Sequence, residues 1–187
     1  MTRFILRTLA FLPLAFAVWY FAAPLLLWPA LLVVRAIAYV GFGDLVRAVE
    51  QSDAVATFVT TLRAGAGVVT VDVNLLLYSF GLPLFAALTV AAREPHWKRH
   101  LAAGYAALAP IIAFGVLADF LKNVAITAGP AIASQTGFVA WQRETIAFAF
   151  QFGSLILPAV APAVLWIAMH SDSMASLRRG ALVSASR

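Results

Sequence analysis

A run of about 27 residues without a charge, from Thr8 to Val34, limits most strongly how this chain can fold. About 20 apolar residues in a helix are enough to cross the ~30 Å hydrocarbon core of a bilayer. Three further stretches, at 75–92, 101–121 and 145–169, have a similar apolar character. Because the helix is the open-ended element that satisfies its own backbone in lipid, the pattern predicts four transmembrane helices.

The composition supports a single membrane domain over 1–187. Hydrophobic residues make up 63% of the 187 residues and charged residues 11%, against about 45–50% and 25% in soluble domains. The net charge is +5, but the basic residues flank the apolar stretches, where membrane topology explains them. We therefore predict an all-α integral membrane protein that binds the lipid bilayer and no nucleic acid.

The N-terminus has features of a signal peptide. Arg3 and Arg7 precede the apolar run, and the small residues Ala22 and Ala23 resemble a cleavage site. However, Pro24 would follow the cut, and the apolar run continues beyond it. The stretch at 8–34 is therefore predicted to be an uncleaved first span.

The distribution of Lys and Arg predicts the orientation. The N-terminal tail, the loop 93–100 and the tail 170–187 hold eight of the 13 Lys and Arg residues. These segments alternate with the loops 35–73 and 122–144. For a Gram-negative source, the positive-inside rule then puts both termini in the cytoplasm and these two loops in the periplasm, in the inner membrane.

The first outer loop has two patterns. Leu45, Val46 and Val49 fit one face of a short amphipathic helix that begins near Asp44. After it, two β-branched runs flank "RAGAG" and predict a β-hairpin at 54–73. Val69, Val71 and Val73 are expected to share one face, with Thr70 and Asp72 on the other. Because a two-stranded ribbon is marginal in water, it should lean on the membrane domain or on a partner.

Once the spans are oriented, polar residues collect at their outer ends. Asp119 and Lys122 are three apart and can pair on a helix. Glu144, Phe148 and Gln151 share one helical face, which we expect to point into the bundle. This polar cluster either locks helices together or engages a substrate or partner. It comprises Arg35, Asp72, Asn74, Tyr78, Asp119, Lys122, Arg143, Glu144 and Gln151.

No catalytic, cofactor-binding or metal-binding residues are predicted. The chain has no cysteine and no phosphate-binding glycine motif. His96 and His100 are four apart with Glu94 nearby, a spacing that permits a metal pair. A solvated cytoplasmic loop explains them better.

Three segments resemble those of the exosortase H-associated membrane proteins of Gram-negative bacteria. They are "AVWYFAAP", "VNLLLYSFGLPLF" and "WQRETIAFAFQFGSLILP". The resemblance implies a small inner-membrane protein encoded beside an exosortase, a transpeptidase-like enzyme that processes proteins with C-terminal sorting signals. Exosortases use a Cys/Arg/His set, so a chain without cysteine is not itself such an enzyme. The resemblance transfers no site residues.

The prediction for function is a non-catalytic accessory in exosortase-linked protein sorting, with an exosortase or its sorted substrates as partner. The alternative is a small transporter or lipid-handling protein that uses the polar cluster. A hydrolase would need a nucleophile and a base converging at the outer face. The sequence does not indicate an oligomeric state.

Overall fold

A computed structural model describes residues 2–92 and 95–169. The protein is mostly helical, with one three-stranded antiparallel sheet of order β1-β2-β3. Two π-helical segments, Asn123–Thr127 and Phe152–Ile156, and a 3₁₀ turn, Ser134–Thr136, complete it. The other elements are α1 (Thr2–Phe21), α2 (Ala23–Leu26), α3 (Trp28–Gly41), β1 (Val46–Ser52), β2 (Val55–Ala64), β3 (Gly67–Asn74), α4 (Leu76–Ser79), α5 (Gly81–Ala92), α6 (Trp97–Lys122), α7 (Pro130–Ala133), α8 (Ala140–Gln151) and α9 (Leu157–Met169).

Three helical stretches are long and apolar enough to cross a membrane: Phe4–Phe21, Trp97–Thr127 and Ala140–Met169. They include about half of the first predicted span and all of the third and fourth. The predicted span at 75–92 forms a shorter apolar helix, Leu76–Ala92, in which Phe80 separates α4 from α5. The structure thus supports a membrane protein with three candidate spans, and the fourth span stays a prediction.

The first apolar stretch, predicted as one span at 8–34, is not one continuous helix, and the candidate span within it is Phe4–Phe21. Breaks at Ala22 and Leu27 divide it into α1, α2 and α3. Pro24 and Pro29 lie in the first turns of α2 and α3. Because proline lacks an N–H and has a fixed φ, it fits the first turn of a helix better than the helix interior.

The membrane bundle is built around α5 and α6. α5 packs against α1, α6 and α9, while α6 also packs against α8 and α9. The Phe4 and Trp166 rings stack with their centroids 5.4 Å apart, so the start of α1 lies beside the end of α9. The predicted cytoplasmic tail 170–187 and residues 93–94 of the predicted loop lie outside the described residues.

The helical stretch that begins with α6 is longer than a bilayer core. The 31 residues from Trp97 to Thr127 correspond to roughly 46 Å of helix, against a hydrocarbon core of ~30 Å. Its far end packs against α3 and β3, and the rings of Phe58 and Phe120 stack at 4.3 Å. The prediction that the hairpin leans on the membrane domain is therefore confirmed.

The predicted hairpin at 54–73 is also confirmed, as β2 and β3. Its strands pair from Val55 with Asn74 to Ala64 with Gly67. Gly65 in the turn has a φ of 60°, which glycine adopts without steric cost. Val71 and Val73 are buried and Val69 is half-buried, while Asp72 is exposed, as the alternation predicts.

The predicted amphipathic helix near Asp44 is wrong, because this segment forms β1. The register of β1 against β2 shifts between Val46 and Ala48. Such a bulge puts two residues opposite one and changes which side chains share a face. Val46 and Val49 therefore both point inward and are buried, at a spacing of three that imitates a helical pattern.

The predicted outer loop 122–144 is largely helical. The π-helical segment carries the helix on to Thr127, and α8 begins at Ala140. Between them, α7 packs against β2. Gln135 accepts a hydrogen bond from the Arg63 N–H at 3.0 Å and donates one to the Arg63 carbonyl at 2.9 Å. This loop therefore folds onto the sheet.

Candidate functional site

Four residues form a polar group where α4, α6 and the sheet meet, here called the inner cluster: Tyr78, Asp119, Lys122 and Asn123. Lys122 Nζ lies 3.1 Å from Asp119 Oδ1, so the predicted ion pair is confirmed. Asn123 Nδ2 donates to the same oxygen at 3.0 Å. The Lys122 ammonium also lies 4.0 Å from the centroid of the Phe150 ring. The Asp119 carboxylate is thus neutralised and held by its own helix.

Tyr78 is the buried member of the inner cluster, with 2% of its surface exposed. Its hydroxyl lies near the Asp119 carboxylate but has no hydrogen bond of acceptable geometry. The ring occupies space left by a glycine: a Cβ on Gly115 would lie 2.5 Å from Tyr78 Cδ1 and 3.1 Å from the Gly153 carbonyl oxygen. The glycine allows Tyr78 to enter the helix interface.

Glu144, Phe148 and Gln151 do share one face of α8, but that face points outward. All three are exposed, and Phe148 is 67% exposed. The prediction that this face points into the bundle is therefore wrong. Ile146 and Gly153 are buried instead. A built Cβ on Gly153 would lie 3.0 Å from the Gly115 Cα, so close glycine packing turns the polar face away from α6.

The two arginines of the predicted cluster stabilise the region around the sheet. Arg35 Nε donates to the Val49 carbonyl at 3.0 Å. The Tyr39 hydroxyl accepts from the Val49 N–H at 3.3 Å. Together these two side chains satisfy the backbone N–H and carbonyl of Val49, which lies on an edge strand of the sheet. Arg143 Nη2 donates to the carbonyl of Ala133 at 3.4 Å, which ties α8 to α7.

Asp72 and Asn74, both on β3, have partners on β2 and at the start of α4. The Thr57 hydroxyl donates to Asp72 Oδ1 at 2.6 Å across the exposed face of the hairpin. Asn74 Oδ1 accepts from the Leu76 N–H at 3.0 Å, at the start of α4. The predicted polar cluster is therefore divided among the inner cluster, the outward face of α8, and contacts that hold the sheet in place.

The sequence pattern did not predict the glycines that set the helix distances. A Cβ on Gly104 would collide with the Phe85 ring, and one on Gly81 would lie 2.5 Å from Pro162 Cγ. Together with Gly115 and Gly153, they let α5, α6, α9 and the segment after α8 approach one another. Small residues at helix contacts are the available signal, but they do not identify their partners.

A cavity of about 670 Å³ lies between α1, α5 and the first half of α6. None of the residues of the predicted polar cluster lines it. Within residues 2–92 and 95–169, no group of three His, Asp or Glu side chains is placed to hold a metal ion. The cavity is therefore an apolar feature separate from the inner cluster.

The comparisons with known proteins give one match. A family model described as exosortase H-associated membrane protein matches residues 1–173. No curated protein and no solved structure matches the chain. The match covers all three segments on which the sequence resemblance rests.

Proposed function

This chain belongs to the exosortase H-associated membrane protein family, and from that membership we propose that it is a non-catalytic accessory of an exosortase-type protein-sorting system. In this proposal it is a multi-pass protein of the bacterial inner membrane with both termini in the cytoplasm. It binds the exosortase or its sorted substrates through helix–helix contacts and through the sheet on the periplasmic side.

The outward position of Gln151 is the observation that carries the proposal. Gln151 lies roughly 27 Å of helix from Met169, within the ~30 Å thickness of a hydrocarbon core. Its side chain is exposed, and its amide makes no hydrogen bond to any residue that the structure describes. An unsatisfied amide facing lipid is unfavourable, whereas a polar group on a neighbouring helix would satisfy it.

The neighbours of Gln151 extend this surface, here called the α8 face: Glu144, Phe148 and Gln151. Phe148 and Phe152 stack with their centroids 6.3 Å apart and give the face a broad aromatic part. Glu144 lies further toward the sheet end, where it is exposed. A partner helix with an apolar stripe and one polar residue opposite Gln151 fits this arrangement.

A non-catalytic role agrees with the position of the nucleophiles and bases. The chain has no cysteine. His96 and His100, the histidines in the described part of the chain, lie at the start of α6. Asp119 is roughly 30 Å further along the same helix. Neither of these two histidines is therefore placed to activate a nucleophile beside the inner cluster.

Co-purification of the full chain with an exosortase encoded beside it tests the proposal. The substitution Gln151→Leu removes the amide and puts an apolar side chain in its place. An interhelical hydrogen bond in a membrane contributes about 0.6–2 kcal/mol, so we expect Kd to rise roughly threefold to thirtyfold.

Thr145→Val is the matched control on the same helix. Thr145 is also exposed, but its hydroxyl donates to the Trp141 carbonyl at 2.9 Å and is therefore satisfied within the helix. This variant should bind like the native chain. Absence of any association with the exosortase or its substrates would contradict the proposed function, and equal binding by both variants would exclude the α8 face.

The transport or lipid-handling alternative at the polar cluster has less support. The 670 Å³ cavity contains none of the cluster residues, and Tyr78 is packed against Gly115 rather than beside an opening. A substrate pathway through the cluster needs space between the helices. Uptake or release of a solute by the purified protein in vesicles would favour this alternative.

A further inference from the structure

The cavity is a groove that follows from how three helices pack. α5 contacts both α1 and α6 and forms the floor, while α1 and α6 form the two walls. Its lining on α5 extends from Leu82 to Val90, roughly 12 Å of helix. The groove has a volume of about 670 Å³, within the range of ~300–1,000 Å³ that suits a small ligand.

The walls of the groove are apolar along most of their length. Representative lining residues are Leu14, Phe85, Leu101 and Ala102. The Phe85 ring packs over Gly104, which fixes the floor against α6. Such a surface binds a hydrocarbon chain and offers little to a polar solute.

One end of the groove carries a positive charge. Lys98 lines this end together with Trp97, and its ammonium lies 5.7 Å from the Trp97 ring centroid. In the part of the chain that the structure describes, the Lys98 ammonium pairs with no carboxylate. Arg99, the next residue, is also exposed. An apolar groove that ends at a cation complements an amphiphile with an apolar tail and an anionic head.

We propose that the groove binds one acyl chain of an anionic phospholipid, whose headgroup pairs with Lys98. Trp97 lies at the boundary between the chain and the headgroup, as tryptophan does at membrane interfaces. Basic pockets between helices bind anionic headgroups in this way. This site is independent of the exosortase proposal, because it lies away from the α8 face.

Native mass spectrometry of the full-length protein tests the site after extraction from nanodiscs. The nanodiscs contain phosphatidylglycerol and phosphatidylcholine in equal amounts. We expect one retained lipid, with phosphatidylglycerol preferred about fivefold for a single interfacial Lys. Lys98→Gln should keep a retained lipid and remove that preference. Lys98 is exposed, so this variant is expected to fold.

A pair of adjacent variants tests the position of the acyl chain. Ala102 and Ala103 are both exposed on α6, but only Ala102 lines the groove. Ala102→Phe should fill the groove and abolish retention, whereas Ala103→Phe should retain the lipid. Circular dichroism compares the folding of the two variants.

Four results would overturn the proposal. They are a native protein that retains no lipid, equal retention of the two lipids, retention by Ala102→Phe equal to that by Ala103→Phe, and a dimer without lipid that Ala102→Phe dissociates. The last result would identify a second copy of the chain as the occupant.

Discussion

At the scale of single residues, Gly115 decides whether Tyr78 can be buried. The Tyr78 ring lies where a side chain at 115 would lie, and Gly153 approaches from the other helix. Gly115 is a helix residue without a special backbone conformation. Gly115 therefore matters because it has no side chain, and the Tyr78 ring occupies the space that a side chain would take.

Gly115→Ala is expected to destabilise the protein. The new Cβ would lie 2.5 Å from the Tyr78 ring and 3.1 Å from the Gly153 carbonyl, and overpacking of this kind costs about 1–3 kcal/mol. Thermal unfolding in detergent, followed by circular dichroism, measures the change.

The control is Gly41→Ala at the end of α3, where a Cβ meets no atom within 4 Å. Alanine favours helix over glycine by about 1 kcal/mol at most, so Gly41→Ala should be neutral or slightly stabilising. Equal melting temperatures for the two variants would contradict the role assigned to Gly115.

Tyr78→Phe separates the ring of Tyr78 from its hydroxyl. The hydroxyl is buried without a hydrogen bond of acceptable geometry, so its removal should leave stability unchanged or raise it. The Asp119–Lys122 pair does not depend on it. A loss of more than about 1 kcal/mol in the free energy of unfolding would instead show a stabilising hydrogen bond.

At the scale of elements, one ring stack connects the sheet to α6. Phe58 in β2 and Phe120 in α6 are both fully buried and lie nearly parallel, with an interplanar angle of 14°. Val71 and Val73 of β3 and Val124 just after α6 belong to the same buried core. Apolar burial on the end of α6 therefore helps to hold the sheet in place, together with its contacts with α3 and α7.

Phe58→Ala should loosen the sheet. Removal of a buried phenylalanine costs about 3–5 kcal/mol, and hydrogen exchange in 55–74 should become faster. Val68→Ala is the control in the same sheet, because Val68 is 42% exposed near the turn. If exchange in 55–74 were the same in both variants, the stack would not hold the sheet.

At the scale of the whole molecule, the packing contacts between elements distinguish two ends of the protein. The sheet, the inner cluster and the far end of α6 lie at one end. The starts of α1 and α6 lie toward the other end, since Phe11 and Lys98 line the same groove and Phe4 stacks on Trp166. This arrangement fits the alternation predicted from the basic residues, although the direction across the membrane is still a prediction.

Single-cysteine labelling can measure that direction, since the native chain has no cysteine. Thr70→Cys in β3 and Pro95→Cys before α6 both replace exposed residues. With the sheet in the periplasm, a membrane-impermeant maleimide should label the Thr70 variant in spheroplasts. It should label the Pro95 variant only after lysis. The reverse pattern would invert the predicted topology.

The sequence alone predicted the parts that depend on local pattern. The apolar lengths predicted the membrane class, the β-branched runs around "RAGAG" predicted the hairpin, and a spacing of three predicted the Asp119–Lys122 pair. The prediction for β1 was wrong, because a bulge places Val46 and Val49 on one face. Strand and helix patterns coincide over so short a segment.

Only the tertiary structure decided which way the polar face of α8 points and where the first apolar stretch belongs. Spacing establishes that Glu144 and Gln151 share a face, but the rotation of α8 depends on how closely Gly153 can approach Gly115. Likewise, α3 packs against α6 and β1, and its Leu31 and Val34 are buried in the core. The physical reason is that a sequence pattern defines which side chains lie together on one element, whereas their environment is set by packing against residues distant in sequence.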